Sequence, residues 1–409
     1  MLSRRRVLGS AAALGASFGC PAIARAQASS VKIGVLTDMS GIYATNTGRG
    51  SVLGATMAIE DYRKIDPYLR VELVSADQQN KPDVALTLSR EWIDRAGVDC
   101  IIDVPISSAA LGVANLVKER DRVALFTAPA SSDLTGSACT PNSIHWTYDS
   151  WALNQGTVQG IMAGGGDTWF FLTADYAFGK ALQRDAATAV TEQGGKVIGN
   201  VLTPSPSNDF SSFLLQAQTS GAKVVGLAQG GQDVVTCIKQ AAEFGMMSGK
   251  QRVAGLVIQL GDVHGMGLAV AGGLLLSEPF YWDLTDGTRA FSQRFGAQMN
   301  GQMPSIAHAG AYSAVLHYLK AVSALGVGAA KASGRATVER MKAIPTDDPL
   351  FGPGSIRLDG RKLHPMHLFQ VKTPAESRGP YDYYKLIEST PPERAFRAAN
   401  KGGCPLVPA

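Results

Sequence analysis

Val31-Lys32-Ile33-Gly34-Val35-Leu36 begins a stretch in which short β-like runs alternate with amphipathic helical runs. Behind it, Val52, Ala55, Ile59 and Tyr62 recur at helical spacing across residues 48–65, and Val71-Glu72-Leu73-Val74 is the next strand-like run. Pro82 suits the first turn of a helix that carries Leu88, Trp92 and Ala96 on one face. Cys100-Ile101-Ile102, a helical stretch from Ser108 to Arg120 and Val123-Ala124-Leu125-Phe126 follow. The order βαβαβαβ predicts an α/β fold with a parallel sheet, covered by helices on both faces.

The pattern restarts after Thr147-Tyr148-Asp149-Ser150. Strand-like runs recur at Trp169-Phe170-Phe171-Leu172, Val197-Ile198-Gly199, Val224-Val225-Gly226-Leu227 and Val253-Ala254-Gly255-Leu256-Val257, with helical segments between them. Helices over 287–299 and 306–325 and short strands near 354–357 and 367–370 are too few for a third domain, so they complete the first two. The prediction is two Rossmann-like lobes with parallel sheets, joined by three crossovers near 148–150, 275–280 and 348–354. Lobe 1 is expected to hold residues 29–148 and 278–350, and lobe 2 residues 150–277 and 352–409.

Met1-Leu2-Ser3-Arg4-Arg5-Arg6 is cationic, residues 7–23 are apolar and rich in Ala and Gly, and Ala24-Arg25-Ala26 is a small-x-small cleavage site. This order predicts a signal peptide over residues 1–26, and Ser3-Arg4-Arg5-Arg6-Val7-Leu8 fits the twin-arginine export pattern. Phe18 spoils the lipoprotein reading of Cys20. The protein is therefore expected outside the cytoplasm, in the periplasm. Arg4, Arg5, Arg6 and Arg25 account for the formal charge of +4, so the remainder is neutral and has no electrostatic reason to seek nucleic acid or an anionic membrane. No later apolar run approaches the length of a membrane span. Cys139 and Cys404 sit in turn-like sequence and are the preferred disulfide pair; sequence alone leaves connectivity, and four free thiols, open.

With these elements in place, the chain resembles the type I periplasmic binding proteins of the leucine/isoleucine/valine-binding family, which serve ABC transporters. The resemblance rests on five loops that each follow a strand. They are Thr37-Asp38-Met39-Ser40-Gly41-Ile42-Tyr43, Ala76-Asp77-Gln78-Gln79-Asn80-Lys81-Pro82, Pro105-Ile106-Ser107-Ser108-Ala109, Ala130-Ser131-Ser132-Asp133-Leu134-Thr135 and Asp175-Tyr176-Ala177-Phe178-Gly179. The resemblance implies capture of a small carboxylate by clamshell closure and delivery to ABC permease subunits, by a monomer without cofactor, metal or enzymatic activity. An exported ligand sensor of the same fold and a secreted enzyme are the rival classes.

Ligands of open parallel sheets bind beyond the carboxyl ends of the strands, where N–H groups of following helices converge. On that ground and by resemblance, the expected site residues are Tyr43, Ser107, Ser108, Ala109, Ala130, Ser131, Tyr176 and Asp262. Ser108 also suits a plain helix cap, and each aromatic also suits ordinary core packing. Two departures favour a less polar ligand: Ala130 stands where amino-acid binders of the family usually carry threonine, and Phe178 where they carry a second tyrosine. Tyr148 and Trp151 are further aromatic candidates. An aromatic or aliphatic acid is thus as compatible as a branched-chain amino acid.

Three patterns lead nowhere. Gly15-Ala16-Ser17-Phe18-Gly19 matches an esterase motif inside the expected signal peptide. Gly48-Arg49-Gly50-Ser51-Val52-Leu53-Gly54 is one residue too long for a dinucleotide fingerprint. The six histidines have no metal-site spacing.

Overall fold

The computed structural model of the protein describes residues 30–408, so the expected signal peptide lies outside the described residues. Strands β1 (Val31–Thr37), β2 (Val71–Asp77), β3 (Cys100–Asp103), β4 (Val123–Phe126) and β5 (Ser143–His145) form one sheet in the order β2-β1-β3-β4-β5, all parallel. Strands β6 (Thr168–Ala174), β7 (Lys196–Thr203), β8 (Val224–Ala228) and β9 (Arg252–Gly255) form a second parallel sheet in the order β7-β6-β8-β9. The molecule is a two-lobed α/β protein.

Side-chain alternation explains why the central strands read as unbroken apolar runs. Cys100, Ile102, Val123 and Leu125 enter a core shared with the helices Gly48–Arg63 and Ile306–Leu325. Their neighbours Ile101, Ala124 and Phe126 enter a second core under the helix Ser107–Glu119. The other sheet is divided in the same way. Leu172, Val225 and Leu227 pack with the helices Ser211–Thr219 and Gln232–Glu243, while Trp169, Phe171 and Val224 pack with Ser150–Ala163 and Ala177–Glu192. Burial on both faces removes the polar alternation of a half-exposed strand.

The long late helix belongs with the first sheet. A Cβ on Gly54 would stand 2.3 Å from the His308 carbonyl oxygen, so the helices Gly48–Arg63 and Ile306–Leu325 approach more closely than a side chain there allows. Ser305 caps the latter, accepting from the His308 N–H at 3.3 Å and donating to the Asn46 carbonyl at 2.6 Å.

Late segments complete both lobes. Strand β10 (Leu275–Glu278) leads into the second crossover, and a hairpin of β11 (Ser355–Ile356) and β12 (Lys362–Leu363) occupies the third. Strands β13 (Met366–Val371) and β14 (Tyr384–Thr390) then join β10 in an antiparallel sheet, order β10-β13-β14. Leu276, Phe369, Val371 and Tyr384 of this sheet share a core with β6 and β8. Ile356 enters the first lobe's core, and the His145 N–H donates to the Gly360 carbonyl at 2.9 Å. A lobe boundary at 352 therefore precedes a hairpin that still packs on the first lobe.

The crossovers are knitted together by Arg361, which is fully buried. Its Nη2 donates to the Thr147 carbonyl at 3.0 Å, its Nη1 to the Tyr148 carbonyl at 3.2 Å, and Asp149 Oδ2 lies 3.5 Å away. His364 Nε2 also meets the Thr147 carbonyl. Buried Lys362 places its Nζ 4.4 Å from the Phe351 ring centre, 5.2 Å from that of Trp146 and 4.0 Å from Asp348 Oδ2. Cys139 and Cys404 are joined as a disulfide, which ties the C-terminal tail to the loop before β5; Cys100 and Cys237 are buried and free.

Candidate functional site

A cavity lies between the lobes, and each residue lining it follows the carboxyl end of a strand. Tyr43, Asn46 and Thr47 follow β1, Pro105 follows β3, Ala128 and Ala130 follow β4, and Tyr148 follows β5. From the other lobe, Phe178 follows β6, Gly231 follows β8, and Val257 and Gln259 follow β9. This is where open parallel sheets converge on a ligand. The cavity encloses about 20 Å³, room for a single water, so the two lobes are closed on each other.

Direct hydrogen bonds hold that closure. Asn46 Nδ2 of the first lobe donates to Asp262 Oδ1 of the second at 2.8 Å, and the Gln232 N–H donates to the Ile42 carbonyl at 2.9 Å. The Tyr43 and Tyr176 hydroxyls bond to each other across the same seam. Gly231 makes this approach possible: its φ is +59°, and a Cβ there would stand 2.4 Å from the Ile42 carbonyl oxygen. Tyr148 donates to the Ala128 carbonyl at 2.6 Å and so accepts from Gln259 Nε2 at 3.0 Å.

No lining residue carries a formal charge at neutral pH, yet buried carboxyls surround the cavity. Burial pushes the Asp103 carboxyl up to about 6 although the Thr37 and Thr127 hydroxyls donate to it at 2.6 and 2.7 Å. Burial likewise pushes Asp262 up to about 6. Glu278 is raised well above the ordinary carboxylate range, by burial first and the nearby Asp262 second. The Tyr43 and Tyr148 phenols are raised by burial, which keeps both neutral as hydrogen-bonding groups.

Of the eight residues expected from sequence, Tyr43 and Ala130 line the cavity. Tyr176 does not line it but backs two lining residues, through its hydroxyl contact with Tyr43 and its ring 5.6 Å from that of Phe178. Ser107 is buried, its Oγ accepting from the Ser131 N–H at 3.3 Å, and Ser131 Oγ accepts in turn from the Asp133 N–H. The two serines thus hold the loops after β3 and β4 together instead of lining the cavity. Ala109 packs in the core beneath its helix, and Ser108 is half-buried at the start of that helix without lining the cavity. Asp262 does not line the cavity: Oδ2 accepts from the Gln259 N–H at 2.9 Å and Oδ1 from Asn46, so it starts a helix and latches the lobes. Sequence reasoning missed Asn46, Thr47, Pro105, Ala128, Gly231, Val257 and Gln259 as lining residues. The signal was their position directly after strands, diluted because four of the seven, Pro105, Ala128, Gly231 and Val257, are small or apolar.

Among the described residues, no helix is long and apolar enough to cross a membrane, and no group of three His, Cys, Asp or Glu side chains could hold a metal ion. Residues 30–379 match the family model for periplasmic binding proteins. A periplasmic binding protein from Burkholderia mallei is 42% identical with a TM-score of 0.88, covering 92% of this chain and 99% of its own. A branched chain amino acid ABC transporter periplasmic ligand-binding protein from Burkholderia xenovorans is 40% identical with a TM-score of 0.80, at the same coverage. A Leu/Ile/Val-binding protein homolog from Brucella melitensis is 24% identical over 351 residues, 84% of this chain and 87% of its own.

Proposed function

This chain belongs to the periplasmic binding protein family, and from that premise we propose that it captures a small carboxylate by clamshell closure in the periplasm and delivers it to an ABC importer. The ligand class is an apolar amino acid or an aromatic or aliphatic acid. One observation carries the reading: the cavity is walled by strand-end loops of both lobes, which also bond directly to each other across the seam. A solute held between the lobes biases closure only through contacts that the closed form alone provides, and such contacts require walls on both sides.

The carboxylate end is assigned to the start of the helix Ser107–Glu119. Its cap residue Ile106 supplies no side-chain bond, so the first N–H groups remain available beside Ser108, Ala109 and Ser131. Tyr43, Ala130, Tyr148 and Phe178 form the apolar part. The lobes are assigned as residues 29–148 with 278–350, extended through the hairpin to 363, and as 150–277 with the remaining C-terminal residues.

A thermal-shift screen of amino acids, aromatic acids, dicarboxylates and short fatty acids tests the reading. A ligand that binds only the native state raises Tm. Hits confined to carboxylates with apolar bodies are expected; sugars or metal ions as the sole hits would overturn it.

A further inference from the structure

We infer that the cleft carries a second binding site beside the solute cavity, one that takes a small neutral planar molecule with N–H donors and whose filling favours closure. It rests on the solute-capture reading only in that both sites are walled by the two lobes.

Asn46 lines both the solute cavity and a second, larger cavity of about 210 Å³. Thr45, Gln302 and Met303 wall the second cavity from the first lobe, and Gly261, His264 and Tyr381 from the second. Among the described residues no Asp, Glu, Lys or Arg lines it, so a charged ligand meets no permanent counter-charge there. Tyr381 forms a preset aromatic wall. Its φ of +67° lies in the left-handed region that bulky side chains rarely adopt, so the surrounding structure has to hold it there. Its carbonyl is the handle, accepting from the Tyr281 hydroxyl and from Trp282 Nε1, each at 2.7 Å. Both donors belong to the second crossover, just after β10. The Tyr381 ring stacks on that of His264, with centres 4.6 Å and planes 10° apart, and His264 Nδ1 meets the Tyr383 hydroxyl at 2.8 Å.

The first lobe's wall is polar. Asn46 is 2% exposed, and with Nδ2 committed to Asp262 its Oδ1 is left without a hydrogen-bond partner among the described residues. That oxygen is turned towards Gly261 of the second cavity, where a Cβ would stand 2.4 Å from it. Gln302 Nε2 donates to the Thr45 carbonyl at 3.3 Å, which leaves the Gln302 amide oxygen as a second acceptor. A flat ring bearing an uncharged amide answers both walls: the ring extends the Tyr381–His264 stack, and the N–H groups supply what the two acceptors lack. Because the walls come from different lobes, such a molecule binds the closed form better than the open one. By linkage it then raises the affinity for a solute in the first cavity, and the solute does the same for it.

Benzamide, which carries this ring and amide without a charge, is the probe. Calorimetry is expected to show it binding the wild type, and binding about fivefold or more tighter when a solute from the thermal screen is already bound. Tyr381→Asn removes the ring while suiting left-handed backbone, and Met303→Trp fills the second cavity from the first lobe. Both variants are expected to lose benzamide binding while keeping the wild-type solute affinity measured without benzamide, which also shows that they fold. Competition between benzamide and the solute would put the probe in the solute cavity and overturn the inference. So would undiminished benzamide binding by either variant, or no binding by the wild type. Each of these outcomes leaves solute capture standing. A thermal screen without a carboxylate hit removes solute capture instead, and the second site is still read from benzamide and the two variants.

Discussion

At the crossovers, Arg361 distributes its donors over the Thr147 and Tyr148 carbonyls and the Asp149 carboxylate, and His364 adds to the same Thr147 carbonyl. Asn46 Oδ1 beside the cavity, and Glu278 Oε1 and the Tyr384 hydroxyl within the second lobe, are equally buried and lack partners among the described residues. Paired buried groups fix a geometry; unpaired ones raise the energy of the empty protein until something else pairs with them. The first arrangement suits a hinge about which two lobes turn, and the second suits a place that a solute completes. Lys362 is intermediate, its Nζ lacking a hydrogen bond but lying over two aromatic rings.

The contrast breaks most directly at Arg361. Arg361→Ala leaves Asp149 as an uncompensated buried carboxylate, and urea unfolding is expected to show a loss of about 3–5 kcal/mol. A loss under about 1 kcal/mol would mean that the hinge pairing is incidental. The tail contributes next. Replacing Cys139 and Cys404 together by serine frees a link that spans 265 residues of sequence, and a cost of about 2–4 kcal/mol is expected in the same assay.

The two regions should also respond to pH with opposite sign. Burial holds His145 and His364 well below their ordinary 6.5 and Lys362 at about 8 instead of 10.5. Groups lowered in this way contribute stability that is present above the unfolded value and lost as pH falls through the folded one. Asp262 at about 6 instead of 3.8, and Glu278 raised above 4.5, contribute stability that is present at low pH and lost as pH rises. Melting curves between pH 4 and pH 8 are expected to show His364→Gln flattening the acid-side loss and Glu278→Gln flattening the loss towards neutrality. The same sign of change from both variants would erase the distinction. The smallest expected effect is at Ser108: Ser108→Ala should weaken a bound carboxylate by about 1–2 kcal/mol, read by calorimetry, and no change would mean that Ser108 does not meet the ligand.

The framework was legible in sequence because its strands are buried on both faces. Cys100-Ile101-Ile102 and Val123–Phe126 stand as continuous apolar runs between helical periodicities, Val31–Thr37 is interrupted by the single charge of Lys32, and the parallel order follows from that alternation. Strands β5 and β10, of three and four residues, carry too little pattern to be seen, and the exposed β14 has five exposed residues in seven. Ile356 of the hairpin over 355–363 enters the first lobe's core, a placement invisible in sequence because it depends on partners far away along the chain.

At the site, strand-end position found Tyr43 and Ala130. It could not show that Ser107 Oγ would accept from the Ser131 N–H, or that Asn46, more than two hundred residues away, would engage Asp262. Those facts depend on which loops meet when the lobes close.

Closure about the paired hinge is the centre of this account, and small-angle scattering from the protein with and without a ligand found in the thermal screen tests it most directly. A smaller radius of gyration is expected when that ligand is added, as an open population is drawn into the closed form. Tight binding with an unchanged radius of gyration would contradict it.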